Sequence, residues 1–152
     1  MKKETVVVLD FGGQYNQLIA RRVRELSVYS EMLPYDTSYE EIVAKDPQAI
    51  ILTGSPASVY GGEAPCCDPR VFSLGIPVLG ICYGMQLMAE QMGGKVQPSS
   101  LREYGQAVLQ LLGEDEIFKG LPDEMQVWMS HGDTIISLPE GFRITASTAN
   151  CP

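Results

Sequence analysis

Pro77-Val78-Leu79-Gly80-Ile81-Cys82-Tyr83-Gly84-Met85-Gln86 runs an apolar strand straight into a cysteine with a glycine two residues to either side. A Gly-x-nucleophile-x-Gly turn between strand and helix holds its central residue in a strained backbone conformation and lifts the side chain clear of the sheet. Gly80 and Gly84, lacking Cβ atoms, let strand and helix approach closely, and the first helical N–H groups then point towards Cys82. That placement suits a sulfur that must carry negative charge in order to attack. An arbitrary cysteine at a strand end is more often a packed core residue. The paired glycines favour a nucleophile elbow here.

Working outward from the elbow, strands and helices alternate. Thr5-Val6-Val7-Val8-Leu9 is an unbroken β-branched run, which fits a parallel strand covered on both faces. Asp10-Phe11-Gly12-Gly13 breaks it, and from Gln14 the apolar residues Leu18, Ile19, Val23 and Leu26 recur at helical spacing, with Arg21, Arg22 and Glu25 on a solvated face. Val28 to Leu33 is a second, weaker strand. Ser38-Tyr39-Glu40-Glu41 matches a capping box opening a short helix through Ile42 and Val43. Ala49-Ile50-Ile51-Leu52 is a third buried strand, and Val78 to Ile81 the fourth. The Gly-, Ser- and Pro-rich loop from Thr53 to Pro69 is too long for a mere connector, which points to function. This alternation predicts an α/β fold with a doubly wound, mostly parallel central sheet and flanking helices, whose ligands gather at the carboxyl ends of the strands. Asp10, Thr53 and Cys82 fall at such ends. Beyond Gly93-Gly94, strand-like segments at Val108 to Leu112, Gln126 to Met129, Thr134 to Ile136 and Arg143 to Ala146 predict a mixed or antiparallel C-terminal part. Residues 1–152 are read as one domain, without repeats or a convincing linker.

Bulk properties narrow the classes. Hydrophobic content of 45% and charged content of 20% are ordinary for a globular protein, and a net charge of -8 with a single histidine argues against nucleic acid as a partner. No apolar stretch approaches bilayer length, and Met1-Lys2-Lys3-Glu4 leads into a strand rather than a signal-peptide core, so no membrane association and a cytoplasmic location are expected. The four cysteines, Cys66, Cys67, Cys82 and Cys151, lack metal-site spacing, and their thiols are expected to be reduced.

A cysteine attacking an amide needs an oxyanion hole, a base and a side-chain pocket. The backbone N–H of Tyr83 is the usual elbow donor, and Gly54-Ser55 at the end of the third strand can bring a second N–H beside it. Alone, Thr53-Gly54-Ser55-Pro56 would read as a plain turn.

Four segments together carry a family resemblance: Leu9-Asp10-Phe11-Gly12-Gly13-Gln14-Tyr15, Thr53-Gly54-Ser55-Pro56-Ala57-Ser58-Val59-Tyr60, Gly80-Ile81-Cys82-Tyr83-Gly84-Met85-Gln86 and Trp128-Met129-Ser130-His131-Gly132-Asp133. Over essentially the whole chain, they resemble the class I glutamine amidotransferase domain of the GMP synthase family. The elbow alone would mark only a class I glutaminase. The other motifs, with Leu33-Pro34-Tyr35-Asp36-Thr37-Ser38, narrow the resemblance. It implies a flavodoxin-like fold and hydrolysis of glutamine through a thioester on Cys82. The ammonia released would serve the ATP- and Mg-dependent amination of xanthosine monophosphate, a step of purine biosynthesis, in a synthetase (ATP pyrophosphatase) domain. That domain and a dimerisation domain, which would make the full-length enzyme a homodimer, lie outside this chain. The domain itself implies no cofactor and no metal. By position, Ser55 and Tyr83 would supply the oxyanion hole, and Gly54, Gln86, Ser130, His131 and Gly132 would hold glutamine, largely through backbone groups. The family commonly has Gly where this chain has Ser55, and a left-handed conformation there would cost a serine energy.

The sole histidine, His131, is not expected to be the base. The resemblance assigns that role to a His-Pro-Glu segment downstream of Thr145-Ala146-Ser147-Thr148-Ala149-Asn150-Cys151-Pro152, so the chain is expected to be truncated before its base and inactive alone. Two other readings stay open: a glutaminase partner in another pathway, such as anthranilate or carbamoyl phosphate synthesis, and a non-catalytic binding or regulatory module of the same fold.

Overall fold

The computed structural model describes residues 4–152. The reading of the amino-terminal lead-in falls mostly on Met1–Lys3, which lie outside the described residues. The chain divides into two compact units, one ending at Gln91 and one spanning Met92–Pro152.

The first unit alternates strand and helix: β1 (Thr5–Asp10), α1 (Asn16–Glu25), β2 (Tyr29–Pro34), α2 (Tyr39–Ala44), β3 (Ala49–Leu52), β4 (Val78–Gly80) and α3 (Tyr83–Gln91). Its strands form one parallel sheet in the order β2-β1-β3-β4. The chain thus winds outward in both directions from β1, and the loops after β1 and β3 diverge at the switch point where α/β sheets bind ligands. Side chains alternate across the sheet. Val7, Leu9, Ile50 and Leu52 pack on one face with Ile42 of α2, Tyr83 and Leu87 of α3, and Val71 of a 3-10 turn (Pro69–Ser73). Val8 and Ile51 pack on the other face with Ile19, Ala20 and Val23 of α1. Burial on both faces explains the unbroken apolar runs of β1 and β3.

The capping box at Ser38 forms as expected. The Glu41 N–H donates to Ser38 Oγ at 3.3 Å, and the Ser38 N–H donates back to Glu41 Oε2 at 3.3 Å. On α1, Arg21 and Arg22 both reach Glu25 on an exposed face. Leu18 and Leu26, expected on the apolar side of α1, are exposed, because the packed stripe is Ile19, Ala20 and Val23.

The second unit is an antiparallel sheet of β5 (Lys95–Leu111), β6 (Glu124–Ser137) and β7 (Ala146–Ser147), ordered β6-β5-β7. The segments expected at Gln126–Met129 and Thr134–Ile136 are parts of one strand. Ser130-His131-Gly132-Asp133, between those two segments, is part of the same ladder, with Glu103 opposite His131 and Tyr104 opposite Ser130. Register shifts between Lys95 and Val96, and between Pro98 and Glu103, accommodate Pro98 in β5. The strand expected at Arg143–Ala146 is the two-residue β7, offset towards Ser147. No helix among the described residues is long and apolar enough to cross a membrane.

Candidate active site

Three loops at the carboxyl ends of β1, β3 and β4 converge in the first unit, and Thr53 ties them together. Its fully buried side chain accepts the Phe11 N–H at Oγ1 (3.0 Å) and its N–H donates to Leu9 O (3.2 Å). Its carbonyl accepts the N–H of Gly84, in the first turn of α3, at 3.1 Å. The β1 loop is braced in turn by Asp10 Oδ1, which accepts from the Gly12 N–H at 2.8 Å and from the side-chain amide of buried Asn16. A Cβ placed on Gly13 would lie 2.6 Å from Gly54 O, so the loops after β1 and β3 touch backbone to backbone.

Cys82 sits between β4 and α3 with φ +53°, in the left-handed region, and is exposed. A non-glycine residue held there costs on the order of 1–3 kcal/mol, which the surrounding packing must over-determine. The cause is visible on either side. A Cβ on Gly80 would lie 2.6 Å from both Met85 N and Cα, and one on Gly84 would lie 2.6 Å from Leu52 Cβ. The strand and helix therefore meet too closely for any side chain at these two positions, and the chain between them turns sharply. The Gln86 N–H donates to Cys82 O at 3.1 Å, so Cys82 stands at the head of α3, where the helix dipole favours negative charge.

Of the residues singled out in the sequence, Gly54, Ser55, Cys82, Tyr83 and Gln86 belong to this unit. A Cβ on Gly54 would come within 3.7 Å of Cys82 Cβ, which brings the end of β3 against the nucleophile position. Ser55 does not adopt a positive φ, so the strain anticipated for it does not arise; its Oγ instead accepts the Ala57 N–H at 3.2 Å, fixing the turn. Tyr83 is buried beside Phe11, ring centroids 5.6 Å apart, and its hydroxyl donates to Pro65 O at 2.6 Å, anchoring the long loop. Burial pushes the Tyr83 phenol up to about 12. Gln86 is buried on α3, one turn after Cys82.

None of the four cysteines is in a disulfide. Burial raises the Cys67 thiol to about 12, and burial together with the Glu103 charge raises Cys151. Cys66 is exposed and its Sγ donates to Ala64 O at 3.2 Å.

Ser130, His131 and Gly132 lie on β6 in the second unit. His131 Nδ1 lies 2.9 Å from Asp133 O, which can only accept, so Nδ1 carries a hydrogen. Nε2 then faces Glu103 Oε2 at 3.0 Å. Glu103 is buried and also accepts the Thr148 hydroxyl at 2.9 and 3.0 Å. Both ring nitrogens of His131 are thereby engaged. Cys151 joins this group, its Sγ and the His131 and Glu103 ligand atoms lying within 4.8 Å of one another. No sequence spacing signals this cluster, because its members are 28 and 20 residues apart and come from β5, β6 and the segment after β7.

Comparison with known proteins bears on both units. The Glutamine amidotransferase class-I family matches residues 7–151. Over all 152 residues the chain is 95% identical to a glutamine-hydrolysing GMP synthase of Syntrophomonas wolfei, covering 30% of that protein. It is 55% identical over 149 residues to the Bacillus cereus enzyme of the same name, covering 98% of this chain and 29% of that protein. The chain thus spans about 30% of the length of these curated relatives. Among solved structures, a Thermoplasma acidophilum protein named for one GMP synthase subunit matches with a TM-score of 0.83 at 28% identity, over 99% of this chain and 76% of that one. A Thermotoga maritima glutamine amidotransferase shares the fold with a TM-score of 0.80 at 20% identity, over 99% of this chain and 70% of that one.

Proposed function

The chain belongs to the class I glutamine amidotransferase family, and we propose that it carries the nucleophile of a glutaminase that feeds ammonia to GMP synthesis. The observation that carries this reading is Cys82 itself: exposed, held at φ +53° at the head of α3, and backed by Gly54. Cys82 Sγ attacks the side-chain amide carbon of glutamine, and the carbonyl oxygen becomes an oxyanion that accepts hydrogen bonds from the N–H groups of Ser55 and Tyr83. One such donor is typically worth about 10²–10³ in rate. Collapse breaks the C–N bond, the leaving nitrogen takes a proton and departs as ammonia, and water then cleaves the γ-glutamyl thioester to glutamate and the restored thiol.

The resemblance gives Gly54 and Gln86, in the first unit, a glutamine-binding role; for Ser130, His131 and Gly132 that role rests on the resemblance alone. His131 is not the base in this reading, because its two nitrogens are committed to Asp133 O and Glu103. The resemblance gives the proton to a His-Pro-Glu segment beyond residue 152, within the greater length of the relatives. Amination of xanthosine monophosphate, with ATP and Mg, is assigned to a synthetase domain outside these residues. A cytoplasmic homodimer completes the proposal.

Glutamate release from glutamine by the full-length protein tests it. Cys82→Ala should abolish turnover with the fold intact. His131→Ala should mainly raise KM and leave measurable kcat, the pattern of lost binding energy. Turnover surviving Cys82→Ala, or loss in His131→Ala as complete as in Cys82→Ala, would overturn the assignment.

A further inference from the structure

We propose that Glu103, His131 and Cys151 form a binding site for a divalent cation of the zinc class. The inference rests on the second unit alone and does not depend on the glutaminase reading. The three ligand atoms lie within 4.8 Å of one another. Around a tetrahedral ion with bonds of about 2.0–2.3 Å, N, O and S ligands stand roughly 3.3–3.7 Å apart, so closure needs only a small inward movement. One imidazole nitrogen, one carboxylate oxygen and one sulfur make a borderline-soft set that suits zinc or cobalt and disfavours magnesium and calcium, which take oxygen.

The surroundings match what a metal site requires of its supporting groups. A ligating histidine uses one nitrogen and donates the other N–H to a carbonyl or carboxylate, which fixes the ring. His131 does this, donating from Nδ1 to Asp133 O at 2.9 Å and leaving Nε2 turned to Glu103. The Thr148 hydroxyl holds the Glu103 carboxylate. The Thr148 N–H donates to Cys151 O at 2.9 Å, closing the turn that carries the third ligand back to the first two. Glu103 and His131 are opposite one another in the β5–β6 ladder, so two ligands sit on a paired scaffold. Partial exposure of His131 and Cys151 leaves a way in and a fourth position for water. Protons balance: as the cation enters, the Cys151 thiol proton and any proton shared by Nε2 and Oε2 leave to solvent.

Titration of the purified, metal-free protein with Co²⁺ tests this. The expected result is saturable binding with tetrahedral d–d bands and a thiolate-to-cobalt charge-transfer band, displaced by Zn²⁺. Cys151→Ser should remove the charge-transfer band, and His131→Gln or Glu103→Gln should weaken binding at least about tenfold. Cys66→Ser and Cys82→Ser should leave the spectrum unchanged. A measurement on the unmutated protein guards against a variant that fails to fold: saturating Zn²⁺ should protect Cys151 from alkylation while Cys82 remains open to it. A charge-transfer band that survives Cys151→Ser in folded protein, the absence of any tetrahedral spectrum, or unchanged alkylation of Cys151 with Zn²⁺ would each overturn the proposal.

Discussion

Replacing Gly84 by alanine puts the strand-to-helix junction under direct load. The added Cβ would lie 2.6 Å from Leu52 Cβ and 2.7 Å from the Leu52 carbonyl carbon, and Leu52 is fully buried in the middle of the sheet. Overpacking a core costs about 1–3 kcal/mol, and a clash with main-chain atoms that cannot rotate away belongs at the upper end. Against this, alanine gains about 1 kcal/mol over glycine as a helix residue. The net loss is about 2 kcal/mol, roughly thirtyfold in the folding equilibrium. Among the described residues every α-helix lies in the first unit, so helical circular dichroism during urea unfolding reports on that unit. Trp128, on β6, reports separately on the second by fluorescence. Gly62→Ala is the control, since a Cβ there meets nothing within 4 Å and should shift stability by no more than about 0.5 kcal/mol. A Gly84→Ala midpoint indistinguishable from that of Gly62→Ala would refute the close-contact argument for the elbow.

Other consequences follow from the same contacts. Thr53→Val removes the acceptor of the buried Phe11 N–H and should cost about 1–3 kcal/mol by urea unfolding, whereas Thr53→Ser keeps the oxygen and should cost less. Equal losses would mean the methyl group, not the hydrogen bond, matters. Cys67 and Tyr83 are raised by burial from 9.0 and 10.0 to about 12 each, so between those values the folded state keeps them neutral where the unfolded chain ionises them. The stability this gives is fully present below about pH 9 and is lost as pH rises towards 12. Cys67→Ala should flatten that alkaline loss in a pH series of unfolding curves, and an unchanged slope would remove Cys67 from the account.

The parts of the structure legible in the sequence are those set by local chemistry. β1 and β3 announce themselves as β-branched runs because both faces are buried, and the Ser38–Glu41 box marks the start of α2 because its two bonds span only three residues. The elbow is legible for the same reason: its strain at Cys82 and its tight contacts at Gly80 and Gly84 fall within five residues. What escaped depends on partners distant in sequence. Ser130-His131-Gly132-Asp133 joins the strand segments on either side of it through pairing with β5. β5 itself carries Pro98 and two serines that mask a 17-residue strand until the register shifts are seen. The Glu103–His131–Cys151 cluster has no spacing to detect, since the sheet, not the sequence, makes them neighbours.

The central claim is that Cys82 is the nucleophile, and selective labelling tests it most directly. Cys67 and Cys151 are held as thiols by burial, and Cys66 lacks a helix amino terminus, whereas Cys82 is exposed at one. Limited treatment of the full-length protein with a glutamine-like chloroketone, followed by peptide mass mapping, should place the adduct on Cys82 first, with excess glutamine slowing it. An adduct forming first on Cys66, Cys67 or Cys151, or labelling of Cys82 that glutamine does not slow, would contradict the account.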